Sequence, residues 1–164
     1  YRAWTNIIQK CYSPKVHKTR PYYKECTVSE EWKNFQNFKI WYKEHKGKVK
    51  QDLDKDILFQ GNKEYSPETC VYTTHFINTV FEDRGSKKLE ETKEGKYKIF
   101  MMIMGEERDL GVFDTKEECY EAFEKRKKEF IIKLAEKTKK KDKIPECQYQ
   151  AMINWEVKAK EKGK

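Results

Sequence analysis

The sequence predicts an α+β fold built as two modules, and three observations carry that prediction. Trp32, Phe35, Phe38 and Trp41 recur every three residues, the repeat of a helix that buries one stripe. Short apolar segments on either side of Gly61-Asn62 and Tyr65-Ser66-Pro67 read as two brief strands leading into a helix that carries Asn78. The stretch KYKIFMMIMGEERDLGVFDT, from Lys96 to Thr115, alternates into two strands and then opens a long helix.

Taken in order, residues 1–12 place Trp4, Ile7, Ile8 and Cys11 on one helical face. Residues 13–26, with Pro14 and Pro21, read as an irregular, basic and aromatic connection in which Arg20 and Lys24 could meet phosphates. A helix is expected from Thr27 or Ser29, with Thr27 and Glu30 at capping-box spacing, and it should end at Gly47. The first strand of the central stretch should carry Asp54 and Asp56. Residues 84–96 hold one apolar side chain, Leu89, among dense mixed charge, and are expected to be a linker. Two strands near 97–104 and 108–113, turning at Gly105-Glu106, should precede a helix capped by Thr115 and Glu118. Cys119, Phe123, Phe130 and Leu134 share one face of that helix. A short helix through Tyr149, Met152, Ile153 and Trp155 follows, and residues 159–164 form a basic tail.

The totals narrow the partners. With 36 Lys and Arg against 28 Asp and Glu, the net charge of +8 points to a polyanion, because such side chains release counterions from a phosphate backbone. No apolar run approaches the roughly 20 residues that span a bilayer, so no membrane partner is expected. Five cysteines lie too far apart for a CxxC pair, which excludes a zinc ribbon and fits reduced thiols in a cytoplasmic setting.

Two carboxylates two residues apart on a strand point to one face, and with an amide oxygen from a following helix they can hold a divalent cation. Asp54, Asp56 and Asn78 are that candidate set. His75, one turn before Asn78, could contact the metal or substrate or simply sit at a helix start, and Tyr65 could orient or deprotonate water or simply pack on its hairpin. The plain alternative is a hairpin and helix whose acidic residues are solvated.

The pattern Leu53-Asp54-Lys55-Asp56, then Tyr65-Ser66-Pro67-Glu68-Thr69-Cys70, then Asn78 resembles the core of HNH-type (ββα-metal) nucleases, in a branch frequent in bacteriophages. Trp4 with Cys11-Tyr12, and Cys26 through Trp32 with Phe35 and Phe38, extend the likeness over residues 1–83. Residues 97–158 resemble, more loosely, an AP2-like DNA-binding domain through Leu110-Gly111, Phe113-Asp114-Thr115 and Glu117-Glu118. The resemblance implies a ββα-metal core flanked by N-terminal helices, with a small antiparallel sheet on a long helix behind it. It implies Asp54 and Asn78 as ligands of Mg²⁺ or Mn²⁺, duplex DNA as substrate, and a tyrosine at position 65 near the scissile phosphate. Ser66, Pro67, Thr69 and Cys70 are its structural signature. It also implies a sheet, around Lys96, Lys98 and Arg108, that enters the major groove.

Two positions depart from the family. Lys55 stands where many members have a histidine base, and Thr69 stands where they have a loop-tying asparagine. The expected function is a metal-dependent DNA endonuclease. The alternative is a chain that keeps the fold without the activity and acts as a DNA-binding protein or as a phage inhibitor of a host defence protein. A homodimer stays open, and a module for RNA is a third reading on the tyrosine-rich basic loops.

Overall fold

The computed structural model describes residues 1–47, 51–82, 86–142 and 144–159. It is an α+β chain that divides into two units, Tyr1–His75 and Phe76–Lys164. Positions 84 and 85 of the expected linker, and the tail from 160, lie outside the described residues. Among the described residues no helix is long and apolar enough to cross a membrane.

The first unit begins with α1 (Arg2–Tyr12), whose Ile7 and Cys11 are buried as the periodicity requires. The connection expected to be irregular is instead helical. It forms α2 (Pro14–Thr19) and a 3-10 turn (Pro21–Tyr23), each opening on a proline. Proline at a helix start loses no hydrogen bond and arrives with its φ already set, so it starts these turns where it would break a longer helix. Residues 27 and 28, expected at a helix start, form β1 (Thr27–Val28). Ser29 then caps α3 (Glu30–Lys33) by accepting the Trp32 N–H, and Asn34 stops that helix and caps α4 (Phe35–His45) by accepting the Gln36 N–H. The aromatic stripe therefore runs across a break. Its registry survives because Trp32, Phe38 and Trp41 all reach the core, with the Trp32 ring 5.0 Å from Phe38 and 4.7 Å from Trp41.

β2 (Asp52–Asp54), β3 (Glu64–Tyr65) and β4 (Val71–Thr73) complete the unit. β2 pairs antiparallel with β4, Asp54 opposite Val71, while β3 runs parallel to β1. α5 (His75–Phe81) follows β4 after a single residue. One core gathers Ile7, Cys11, Cys26, Val28, Trp32, Phe38, Trp41, Tyr65, Cys70 and Tyr72.

In the second unit the expected linker carries a strand, β5 (Lys87–Glu91), paired antiparallel with β6 (Tyr97–Ile103), which pairs with β7 (Glu106–Phe113). An edge strand with one wet face needs few apolar residues, and its charges discourage further pairing. Leu89 is its one apolar residue that packs inward, with Ile99, Met101, Ile103, Cys119 and Phe123. The β6–β7 turn is Met104-Gly105, one residue earlier than expected. Both have positive φ, 54° and 85°, the backbone of a two-residue hairpin turn whose twist matches the strands. An extra residue near Leu110 makes a bulge, with Gly111 at φ 117°.

α6 (Lys116–Asp142) starts on the expected capping box. Thr115 Oγ1 accepts the Glu118 N–H, and Glu118 Oε2 accepts the N–H groups of Asp114 and Thr115. α7 (Glu146–Asn154) ends before Trp155, which is extended rather than helical.

Candidate functional site

β2 decides which carboxylates share a face. Leu53 packs against the core of the first unit, so Asp52 and Asp54 lie on the opposite face of the strand. The spacing alone predicts Asp54 with Asp56. Asp56 instead lies beyond the strand end, in a turn that Asp54 itself organises. Asp54 Oδ1 accepts the N–H groups of Asp56 at 2.7 Å and Ile57 at 2.6 Å. Its Oδ2 accepts no hydrogen bond among the described residues. Burial pushes the Asp54 carboxyl up to about 6, against the pull of those two N–H donors.

Asp56 is committed elsewhere. Lys55 Nζ donates to both of its oxygens, at 2.7 and 2.8 Å, and to the Asn62 carbonyl at 2.8 Å. Lys55 is only 6% exposed. The two residues expected as base and ligand thus form one ion pair, which closes the loop from 55 to 62. Asn62 answers from the other side: its Nδ2 donates to the carbonyls of Lys55 and Glu64. This amide ties the loop, a role that sequence reasoning missed at Asn62 and found lacking at Thr69. Thr69 does its own part, donating from Oγ1 to the Glu64 carbonyl and accepting the Ser66 N–H. Ser66 Oγ donates to Glu68, Pro67 follows in the same turn, and Cys70 is buried with its thiol pushed up to about 12.

Tyr65 is a core residue. It is 3% exposed, and burial raises its phenol far above the ordinary range, which opposes deprotonation. The Lys55 ammonium lies 5.8 Å from its ring centroid. His75 is the opposite case, with a side chain 70% exposed. Its Nδ1–H donates to Asp52 Oδ2 at 2.7 Å. A carboxylate behind an exposed imidazole fixes its tautomer and orientation.

Lys10, on α1, is the cation of this face. Burial, and then Arg20, lower its pKa, while Asp52, Tyr22 and Asp54 hold it up, so all four lie within its electrostatic reach. Arg20 therefore lies near Lys10. Lys24 lies exposed at the end of the 3-10 turn. Asp52 and Lys10 escaped the sequence reading. Leu53, apolar between two aspartates, was the available signal for Asp52.

Asn78 lies in the second unit, on α5, and its Oδ1 is buried with no hydrogen-bond partner among the described residues. Among the described residues no three His, Cys, Asp or Glu side chains converge as a metal cluster. Asn78 is outside that set of residue types.

The expected DNA-facing cations of the sheet are engaged. Lys96 pairs with Asp114 at 2.8 Å and Lys98 with Asp109 at 2.9 Å. The Arg108 guanidinium lies 5.3 Å from the Phe130 ring centroid, on the helix side. Lys88, on the same solvent face as Lys98, pairs with Glu90 and Glu107. Two lysines against three carboxylates leave that face without a positive field. No protein-family model, no curated protein and no solved structure matches the chain.

Proposed function

We propose that the chain is a metal-dependent DNA endonuclease of the HNH, ββα-metal kind, with its catalytic face around β2 and His75 and an AP2-like second module. The observation that carries this reading is the state of two oxygens. Asp54 takes both of its hydrogen bonds among the described residues on Oδ1, and Asn78 Oδ1, in the second unit, is a buried acceptor with no partner among them. An unsatisfied buried acceptor costs about 1–3 kcal/mol, a cost a bound cation would remove. Oxygen donors of this kind suit Mg²⁺ or Mn²⁺. Asp56 does not fit as a ligand, because Lys55 occupies both its oxygens.

When bound, the cation supplies charge stabilisation at the phosphate and at the departing 3′ oxygen. The protein residues supply the rest. His75, oriented by Asp52, takes the proton of the attacking water in place of Lys55. Lys10, within electrostatic reach of Asp52 and Asp54, meets phosphate oxygens, and Arg20 adds its charge beside Lys10.

Plasmid nicking in Mg²⁺ or Mn²⁺ tests this directly. Wild type should cut, Asp54→Ala and Asn78→Ala should not, and His75→Ala should lose about two to four orders of magnitude. Wild type that cuts under neither metal, or Asp54→Ala that cuts equally, ends the reading.

A second reading has its own observation. Lys55 and Tyr65, the two residues at the family's reactive positions, are both buried, which favours a non-catalytic binder on the same fold. Calorimetry separates the two: the binder takes no Mg²⁺ or Mn²⁺, whereas the nuclease binds one and loses it in Asp54→Ala.

A further inference from the structure

We infer that the nucleic-acid grip of the second unit is the basic stripe along the distal half of α6, and that duplex DNA lies along this helix rather than on the sheet. The inference rests on the DNA-binding part of the proposed function and not on its catalytic part.

The charge of α6 is polarised. Residues 116–124 hold one lysine and four glutamates, whereas residues 125–141 hold nine Lys and Arg and two Glu, a net +7 in a chain of net +8. Two of those nine are consumed inside the fold. Lys127 is buried, and Lys128 donates to the carbonyls of Ile153 and Trp155. Lys139 pairs with Glu146, and Arg126 with Glu129. Lys133, Lys137, Lys140 and Lys141 are exposed and carry no ion pair among the described residues.

Helical geometry aligns them. Arg126, Lys133, Lys137 and Lys140, separated by seven, four and three residues, fall within a sector of about 60° at 100° per residue. From 126 to 140 the stripe extends about 21 Å at 1.5 Å per residue. One DNA strand presents about six phosphates over that length, at 3.4 Å each.

The ordinary account of such a run is the helix macrodipole, which favours cations in the last turn. It covers Lys139, Lys140 and Lys141. It does not cover Arg126, Lys133 and Lys137, which lie up to four turns earlier. A membrane surface fits less well. Interfacial helices insert an apolar face beside the charge, but among the described residues the large exposed apolar side chains include none from α6. Cys119, Phe123 and Ile131 of α6 are buried instead. The sheet, expected to hold DNA, has its lysines paired with acids.

The test is fluorescence anisotropy with a labelled 20-base-pair duplex in EDTA, so that cutting cannot interfere. The triple variant Lys133→Ala/Lys137→Ala/Lys140→Ala should bind at least about tenfold more weakly at 0.1 M salt. Its plot of log affinity against log salt should flatten by about 2.7, at about 0.9 for each of three phosphates no longer neutralised. The matching Lys→Arg triple should keep both affinity and slope, which separates charge from folding, and Lys88→Ala/Lys98→Ala should bind as wild type. Three results overturn the inference: wild type that binds no duplex, an alanine triple with unchanged slope, or tighter binding to phosphatidylserine vesicles than to DNA. A chain that binds through α6 and never cuts removes the nuclease reading alone.

Discussion

Asp56→Ala removes the acceptor of a buried ammonium and leaves the rest of the first unit in place. Lys55 Nζ is 2.7 Å from Asp56 Oδ1, and its side chain is 8% exposed against 41% for Asp56. At that distance and an effective dielectric of about 20, the direct attraction is on the order of 6 kcal/mol. Solvent around the carboxylate screens much of it. Breaking a fully buried pair costs about 3–5 kcal/mol and losing an exposed one less than about 1, so a half-buried pair should cost about 2 kcal/mol. Lys55→Met keeps the volume and removes the charge, and by the same logic should cost under about 1 kcal/mol. Urea unfolding followed by tryptophan fluorescence measures both, because Trp4, Trp32 and Trp41, three of the four tryptophans, lie in the first unit. If Asp56→Ala costs less than about 0.5 kcal/mol, or Lys55→Met costs more than Asp56→Ala, the ion pair does not close the loop. The same two variants decide the role of Lys55. A closing role leaves Lys55→Met able to bind Mn²⁺, and a role as the base makes it inert in nicking while its stability is unchanged.

The remaining predictions concern other parts of the chain. Asn78→Leu should raise stability without metal by about 1 kcal/mol, since it deletes the unpartnered oxygen, and on the nuclease reading wild type, unlike Asn78→Leu, should gain stability from millimolar Mn²⁺ in a thermal melt. At pH 8 a thiol reagent should modify Cys147, the exposed cysteine, and leave four unreacted until denaturant is added. With burial pushing the Cys11 and Cys70 thiols to about 12, only about one in ten thousand is thiolate at that pH. Glu118→Ala should lower the stability of the second unit by about 1 kcal/mol through the lost capping box, read by circular dichroism. Met104→Asn should raise it by about 0.5 kcal/mol, because asparagine accepts the positive φ that methionine is held in.

Where the sequence could be read well, local chemistry and burial agreed. The α1 face, the aromatic stripe, the Thr115–Glu118 cap and the long helix all follow from side chains that act on their own neighbourhood. Where it misled, a residue was used against its usual habit. β5 was hidden because charged residues outnumber its one inward apolar residue, which is how an edge strand looks when only one face is buried. Prolines 14 and 21 read as breakers and act as starters. Asn34 read as one more helical residue and acts as a cap between two helices.

The carboxylates show the same conflict most sharply. Period-two spacing allows Asp52 with Asp54, or Asp54 with Asp56, and the choice depends on which intervening residue faces inward. Both do. Leu53 packs on the aromatic core, and Lys55 is buried by pairing with Asp56 and the Asn62 carbonyl. A buried lysine runs against expectation, since the charge must find compensation at each point where water is lost. Its compensation is drawn from Asp56, which takes that carboxylate out of the candidate site. Asp52 is left facing outward on the strand, where it orients His75. On the nuclease reading, the lysine at position 55 and the move of the base to His75 are therefore one event. Once a lysine occupies that position and is buried there, Asp56 is bound to it, and a base, if the chain has one, must come from the Asp52–His75 pair.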